Sequence, residues 1–142
     1  IGGLRVRPER RLADVAAPEI VVVPGGDGTR REMENRALLR WLREAHEGVE
    51  VMLSVCSGAR LLARAGLLDG LRVTTHHQVV DHLRELAPAA IVEPTRRYID
   101  AGKIVTTGGI SAGIDGAFHV VERLWGPDIA RATAAYMEYD RR

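Results

Sequence analysis

The chain has 142 residues, of which 46% are apolar and 27% are charged, and its formal net charge is +1. This composition is ordinary for a globular protein and excludes a disordered, collagen-like or coiled-coil chain. A nearly neutral chain gives no reason to expect a nucleic acid or a membrane as a partner. The single cysteine excludes a disulfide scaffold within the chain and favours a reducing compartment, so we expect a cytoplasmic location.

Short β-branched runs alternate with amphipathic stretches, which predicts βα units around a largely parallel sheet. In chain order, the predicted strands are residues 4–7 at a sheet edge, 20–23 as a buried parallel strand, 49–55, 71–75, and a hairpin of 97–100 with 103–106. The predicted helices are residues 31–46, 59–65, 78–86, 114–124 and 127–136. No internal repeat or linker interrupts this order, so we expect one α/β sandwich domain over residues 1–142.

Cys56 lies where an apolar strand is predicted to end and a helix to begin. A tight strand-to-helix turn pushes its side chain above the carboxyl edge of the sheet, where ligands of α/β proteins bind. The positive end of the following helix favours a thiolate, the form that acts as a nucleophile. Ser54 stands where the G-x-S-x-G elbow pattern has its first glycine. A buried, inert cysteine is equally compatible with this spacing.

Two other loops are predicted to reach the same edge of the sheet. Gly25 and Gly26 follow the preceding strand, and their N–H groups with that of Ser57 could form an oxyanion hole, or they could form only a turn. His76 and His77 follow the strand 71–75. One of them could pair with Cys56 as a base or an orienting group, whereas a surface position is the alternative, above all for His77.

The remaining polar residues suggest less chemistry. His77, Asp81 and His82 offer only one i, i+4 pair, so we expect no metal site. No G-x-G-x-x-G nucleotide motif is present. Asp115 is interpreted as a helix-start carboxylate that stabilises the helix dipole. His46 and His119 are expected on helix surfaces.

Taken together, these segments resemble the DJ-1/PfpI superfamily, which is related in fold to class I glutamine amidotransferases. The resemblance covers nearly the whole chain and depends on residues 22–26, 54–58, 65–70, 73–76, 107–115 and 136–140. The loop 108–115 is most similar to the isocyanide-hydratase branch, and it also resembles the amidase-like domains of some AraC-type regulators.

The resemblance implies a flavodoxin-like three-layer α/β sandwich with a mainly parallel sheet. It implies that Cys56 is the nucleophile, that His76 is its catalytic partner, and that Gly26 and Ser57 donate backbone N–H groups to the oxyanion. We expect the substrate-binding residues to be Gly25, Asp27, His77 and Ile110. Because Ser57 rather than a histidine follows Cys56 directly, the resemblance does not favour proteolysis. It further implies a small-molecule substrate, no cofactor and a homodimer.

Members of the superfamily open with a strand, a helix and a second strand, which carry an acidic residue that hydrogen-bonds the nucleophilic cysteine. That first βα unit has no counterpart here, and the first residue is Ile1 rather than Met. We therefore expect that the sequence is part of a longer protein.

We expect an enzyme in which Cys56 attacks a small electrophilic carbon and water resolves the adduct, as in a hydratase or an amidase-like hydrolase. One alternative is a ligand-sensing domain of an AraC-type regulator, which would need a helix-turn-helix domain after Tyr139. Another is a redox sensor in which Cys56 oxidises to a sulfenic or sulfinic acid. The sequence does not name the substrate.

Overall fold

The β-branched runs form a mixed sheet of four strands in the computed structural model, which describes residues 3–15 and 17–141. In chain order, the strands are β1 (Ile20–Val23), β2 (Val51–Ser54), β3 (Arg72–Val73), β4 (Ile91–Val92), β5 (Tyr98–Asp100) and β6 (Ile104–Thr107). The main sheet has the order β1-β2-β6-β5. Its first three members are parallel, and β5 runs antiparallel to β6. The short strands β3 and β4 pair in parallel as a second sheet.

The helices cover both faces of the main sheet. They are α1 (Gly28–Glu32), α2 (Arg36–Gly48), α3 (Ala59–Arg64), α4 (Val80–Leu86), α5 (Ser111–Trp125) and α6 (Pro127–Tyr136). Leu42 of α2, Leu62 of α3 and Leu83 of α4 share one buried core with Met52 of β2. Val120 of α5 packs on the other face. This is the predicted three-layer α/β architecture with a mostly parallel sheet.

The central strand β2 supplies both cores, since alternate residues of a strand point to opposite faces. Met52 belongs to the core beneath α2, α3 and α4, whereas Val51 and Leu53 belong to the core beneath α5. All four residues of β2 are buried. The strand therefore holds the following turn, which contains Cys56, in a fixed position.

Several predicted elements differ from the structure. Residues 4–7 form no strand, because no strand within residues 3–15 and 17–141 pairs with them, and Leu4 and Val6 are exposed. The predicted helix 31–46 is two helices, since the Asn35 side chain accepts the Leu38 N–H at 3.2 Å and begins α2 there. Helix α5 begins at Ser111, three residues before its predicted start.

Two strand predictions are also corrected. The run 20–23 is a parallel strand, but it lies at the edge of the sheet, and Val22 is 57% exposed instead of buried. The run 71–75 forms only the two-residue β3, whose partner β4 has no clear pattern in the sequence. The hairpin of β5 and β6 is confirmed, with Gly102 at φ +92° in its turn.

Candidate functional site

Cys56 occupies a strained backbone position between β2 and α3. It opens a 3-10 turn, Cys56–Gly58, and its φ is +56°, a region that non-glycine residues rarely adopt. The Cys56 N–H donates to the Gly108 carbonyl at 3.1 Å, and the Thr75 hydroxyl donates to the Cys56 carbonyl at 2.8 Å. The Val55 N–H donates to the Val23 carbonyl at 3.0 Å. Contacts from three other segments therefore fix the turn, as expected where strain persists at a functional site.

Two glycines make room for this turn. A Cβ at Gly25 would lie 2.9 Å from the Cys56 Cβ and 2.9 Å from the Ser57 nitrogen. A Cβ at Gly58 would lie 2.3 Å from the Val23 carbonyl oxygen. A side chain at either position would force the turn to move, so these glycines are required by the close approach of backbone to backbone.

The two predicted oxyanion residues lie side by side. The Gly26 N–H donates to the Ser57 Oγ at 2.8 Å, and the Ser57 hydroxyl lies 3.3 Å from the Gly26 carbonyl oxygen. Gly26 adopts φ +112°, and Ser57 is buried. An anion bound at this edge would either share the Gly26 N–H with the Ser57 hydroxyl or replace that hydroxyl as its acceptor. Their role as oxyanion donors stays a prediction.

His76 lies half-buried at the start of the turn that precedes α4. Its Nδ1 accepts the Gln78 N–H at 3.3 Å, so the neutral ring carries its proton on Nε2. Burial lowers the pKa of His76, and the nearby His77 lowers it further. The ring also packs against the loop before α5, because a Cβ at Gly109 would lie 2.4 Å from the His76 Cδ2. The neutral imidazole is the form that can exchange a proton with a substrate near neutral pH.

A small cavity of about 170 Å³ joins these groups. Five of the predicted site residues line it, namely Gly26, Asp27, Cys56, Ser57 and His76. The other three are not in its lining: Gly25 lies behind Cys56, His77 is exposed, and Ile110 is 82% exposed at φ +38°. The roles given to all eight residues stay predictions.

The sequence reasoning missed four residues of this cavity, which are Arg30, Arg60, Gln78 and Val79. A signal existed for Arg60, because it follows Cys56 by four residues and interrupts an apolar helix. Arg60 is only 6% exposed, and its buried Nε has no hydrogen-bond partner within residues 3–15 and 17–141. Burial lowers the pKa of Arg60, as does Arg30, while Cys56 and Asp27 raise it.

Asp115 does not lie at a helix start and does not act as predicted. It stands inside α5, is 3% exposed, and forms an ion pair with Arg97. Its second oxygen accepts the Tyr139 hydroxyl at 3.0 Å. Burial and this hydrogen bond raise the pKa of Tyr139. The carboxylate thus connects α5 to Arg97, just before β5, and to the C-terminal segment, and it lies outside the cavity lining.

Within the described ranges, no three histidine, cysteine, aspartate or glutamate side chains gather closely enough to bind a metal ion. No helix in that part of the chain has both the length and the apolar character needed to cross a membrane.

Two relatives align with this chain over nearly all of its length. It is 34% identical over 137 residues to the isonitrile hydratase of Pseudomonas putida, which covers 96% of this chain and 59% of that protein. It is 28% identical over 139 residues to the HTH-type transcriptional regulator GbdR of Pseudomonas aeruginosa, covering 98% of this chain and 37% of that protein. The chain thus spans less than two thirds of the length of either relative.

A solved structure has the same fold. A ThiJ/PfpI family protein from Pseudomonas syringae superimposes with a TM-score of 0.89 at 27% identity, covering 99% of this chain and 57% of the other. The DJ-1/PfpI family matches residues 1–123, a range that contains the elbow cysteine, the glycine loop and His76. With the turn, the cavity and the relatives in agreement, this chain belongs to the DJ-1/PfpI family.

Proposed function

We propose that this domain is a cysteine-nucleophile enzyme that adds water to a small electrophilic carbon, as a hydratase or an amidase-like hydrolase. The observation that carries the proposal is the backbone of Cys56. A residue held at φ +56° by three neighbouring segments, at the mouth of a cavity, matches the geometry of an activated nucleophile on an elbow.

The chemistry begins when the Cys56 thiolate attacks the electrophilic carbon. With an amide, negative charge develops on the carbonyl oxygen, where the N–H groups of Gly26 and Ser57 would stabilise it. With an isonitrile, the charge develops on the attacked carbon, which is protonated. His76, neutral and protonated on Nε2, would supply a proton to the adduct and later take one from the attacking water. Water then displaces the thiolate, and Cys56 is regenerated.

An isonitrile and an amide both suit this scheme. With an isonitrile, the thiolate adds to the terminal carbon, which takes a proton, and water converts the thioimidate into a formamide. With an amide, the amine leaves first and water hydrolyses the thioester. The isonitrile reaction is supported by the 34% identity to the Pseudomonas putida isonitrile hydratase.

The test compares the wild-type chain with Cys56→Ala and Cys56→Ser on an alkyl isonitrile, a nitrile and a primary amide, with products measured by NMR. We expect the wild-type chain to turn over at least one substrate and both variants to lose about 10³-fold or more of that turnover rate. Alanine has no nucleophile, and a hydroxyl at neutral pH is a far weaker nucleophile than a thiolate. Thermal melts confirm that the variants fold. Wild-type turnover by Cys56→Ala would contradict the proposal.

A second candidate function is a ligand-sensing module without turnover. The observation that favours it is the alignment of 98% of this chain with the regulator GbdR. In that case Cys56→Ala would bind the ligand as tightly as the wild-type chain, and neither protein would release a product. Calorimetry with the same compounds separates the two functions.

A further inference from the structure

Arg60 is the residue of the cavity whose placement the proposed chemistry does not explain. It is 94% buried on the first turns of α3, in a helix whose neighbours Ala59 and Leu61 belong to the apolar core. Its Nε is buried without a hydrogen-bond partner in the described part of the chain. A buried N–H group without a hydrogen-bond partner is costly, and such groups are normally satisfied. An acceptor bound in the cavity would supply the partner that this N–H lacks.

When the Cys56 sulfur carries no charge, as a thiol or once it is bonded to substrate, the charged side chains that line the cavity leave it with one net positive charge. Arg30 lies at the rim and is exposed, and Asp27 is the one acidic side chain in the lining. Two guanidinium groups thus face one carboxylate beside the Cys56 thiol. Burial lowers the pKa of Arg60, and the charge of Arg30 lowers it further. A ligand with a negative charge would favour the charged form of Arg60.

We propose that Arg60, with Arg30 at the rim, binds a carboxylate on the molecule that reacts at Cys56. The substrate class is then a small electrophile that carries a carboxylate, such as a carboxylated isonitrile or amide. This inference rests on the proposed function of Cys56 as a nucleophile. A guanidinium offers a planar fork of N–H donors that matches the two oxygens of a carboxylate. Because Arg60 and Cys56 line the same cavity, Arg60 can hold the carboxylate while the reacting carbon reaches the sulfur.

The test uses two alkylating reagents that differ only in charge. Iodoacetate and iodoacetamide both react by attack of the Cys56 sulfur on the CH₂ carbon with loss of iodide, but only iodoacetate carries a carboxylate. The measured quantity is the ratio of the two alkylation rates, divided by the same ratio for the urea-unfolded chain. Changes in the ionisation of the thiol affect both reagents alike and cancel in this ratio.

We expect the folded wild-type chain to favour iodoacetate by about tenfold over the unfolded chain, the size expected for one charge-assisted hydrogen-bonding group. Arg60→Gln should remove most of this preference. The matched control is Arg64→Gln, which removes the same charge from the same helix. Arg64 lies on the surface, where its Nη2 is 3.3 Å from the Glu34 Oε1, and it is absent from the cavity lining. The control should keep the wild-type ratio.

The possible failures are distinguishable. Rapid alkylation with the same ratio in Arg60→Gln and wild type would overturn the carboxylate site and leave the nucleophile in place. No reaction of the folded chain with either reagent would overturn both, because the thiol would then be shielded. If Arg60→Gln does not fold, protection of wild-type Cys56 from iodoacetamide is measured with acetate and with acetamide at constant ionic strength. Protection by acetate alone supports the site, and equal protection overturns it.

Discussion

The backbone of a single residue, Cys56, distinguishes this site from an ordinary strand end. A positive φ costs about 1 kcal/mol or more in a residue with a Cβ and costs glycine little. Two hydrogen bonds to other segments offset this cost. The Thr75 hydroxyl donates to the Cys56 carbonyl, and the Cys56 N–H donates to the Gly108 carbonyl. The half-buried Cys56 is therefore held in a strained backbone conformation by contacts with other segments.

This feature gives a stability prediction. Cys56→Gly should be more stable than Cys56→Ala by about 1 kcal/mol in urea unfolding, because only alanine keeps the strained Cβ. The control is Ala59→Gly, at a buried helical position with φ −55°, where glycine should be less stable than alanine by about 1 kcal/mol. If glycine stabilises neither position relative to alanine, the turn of Cys56 is not strained.

The sequence predicts which loops meet but not which side chains line the cavity. Cys56, Ser57 and His76 were placed together because each follows a strand whose carboxyl end reaches one edge. The sequence reasoning missed Arg60. The periodicity of the chain predicts that Arg60 lies on a helix, but it does not predict that this side chain is buried. His77 follows His76 directly, yet the chain turns between them and leaves it exposed.

At the scale of elements, α5 is fixed by a buried polar contact as well as by packing. Asp115 connects this helix to Arg97, just before β5, and to Tyr139 after α6. Asp115→Asn would remove the charge and leave Arg97 without its ionic partner. We expect a loss of about 2 kcal/mol in the free energy of unfolding, the scale of a hydrogen bond to a charged group.

The matched control for this change is Asp128→Asn. Asp128 pairs with Arg131 on the surface of α6, and its side chain is 88% exposed. Surface pairs contribute about 0–1 kcal/mol, so this variant should unfold close to the wild-type denaturant concentration. Equal losses in the two variants would show that burial of Asp115 adds nothing to stability.

Elements with strong local signals were predicted well, and those that depend on distant partners were not. The last helix is confirmed at residues 127–136, where Pro127 follows Gly126. The alternation in residues 4–7 has no partner strand, and the two-residue strands β3 and β4 depend on each other. The break between α1 and α2 depends on a single cap at Asn35, which a helical pattern in the surrounding residues conceals.

At the scale of the whole molecule, the edge strand β1 leaves apolar surface uncovered. It pairs only with β2 in the described ranges, and Ile20 and Val22 are exposed by 36% and 57%. Beside it lies an apolar groove of about 520 Å³, lined among others by Leu12 and Trp41, which shares only Gly25 with the predicted site. An exposed apolar edge strand tends to pair with another chain.

We therefore predict that this 142-residue chain self-associates with rising concentration and that Val22→Lys reduces the association. A charge on an edge strand opposes edge-to-edge pairing. The control is Ile129→Lys, at a 50% exposed apolar position on α6 away from that edge. Sedimentation measurements that show the same association in both variants would contradict the role of β1. The homodimer implied by the family stays a prediction.

A side chain that can be labelled selectively lies near each end of β6. The sequence contains one lysine and one cysteine. Lys103 precedes the strand and donates to the His46 and Glu47 carbonyls at 3.1 and 2.7 Å. The Cys56 N–H reaches the Gly108 carbonyl beyond the other end, and the backbones of Lys103 and Gly108 are separated by roughly 16 Å of extended strand. One dye could be attached to the Cys56 thiol and another to the Lys103 amine. The efficiency of energy transfer between them would then report whether β2 and β6 stay paired as the protein unfolds.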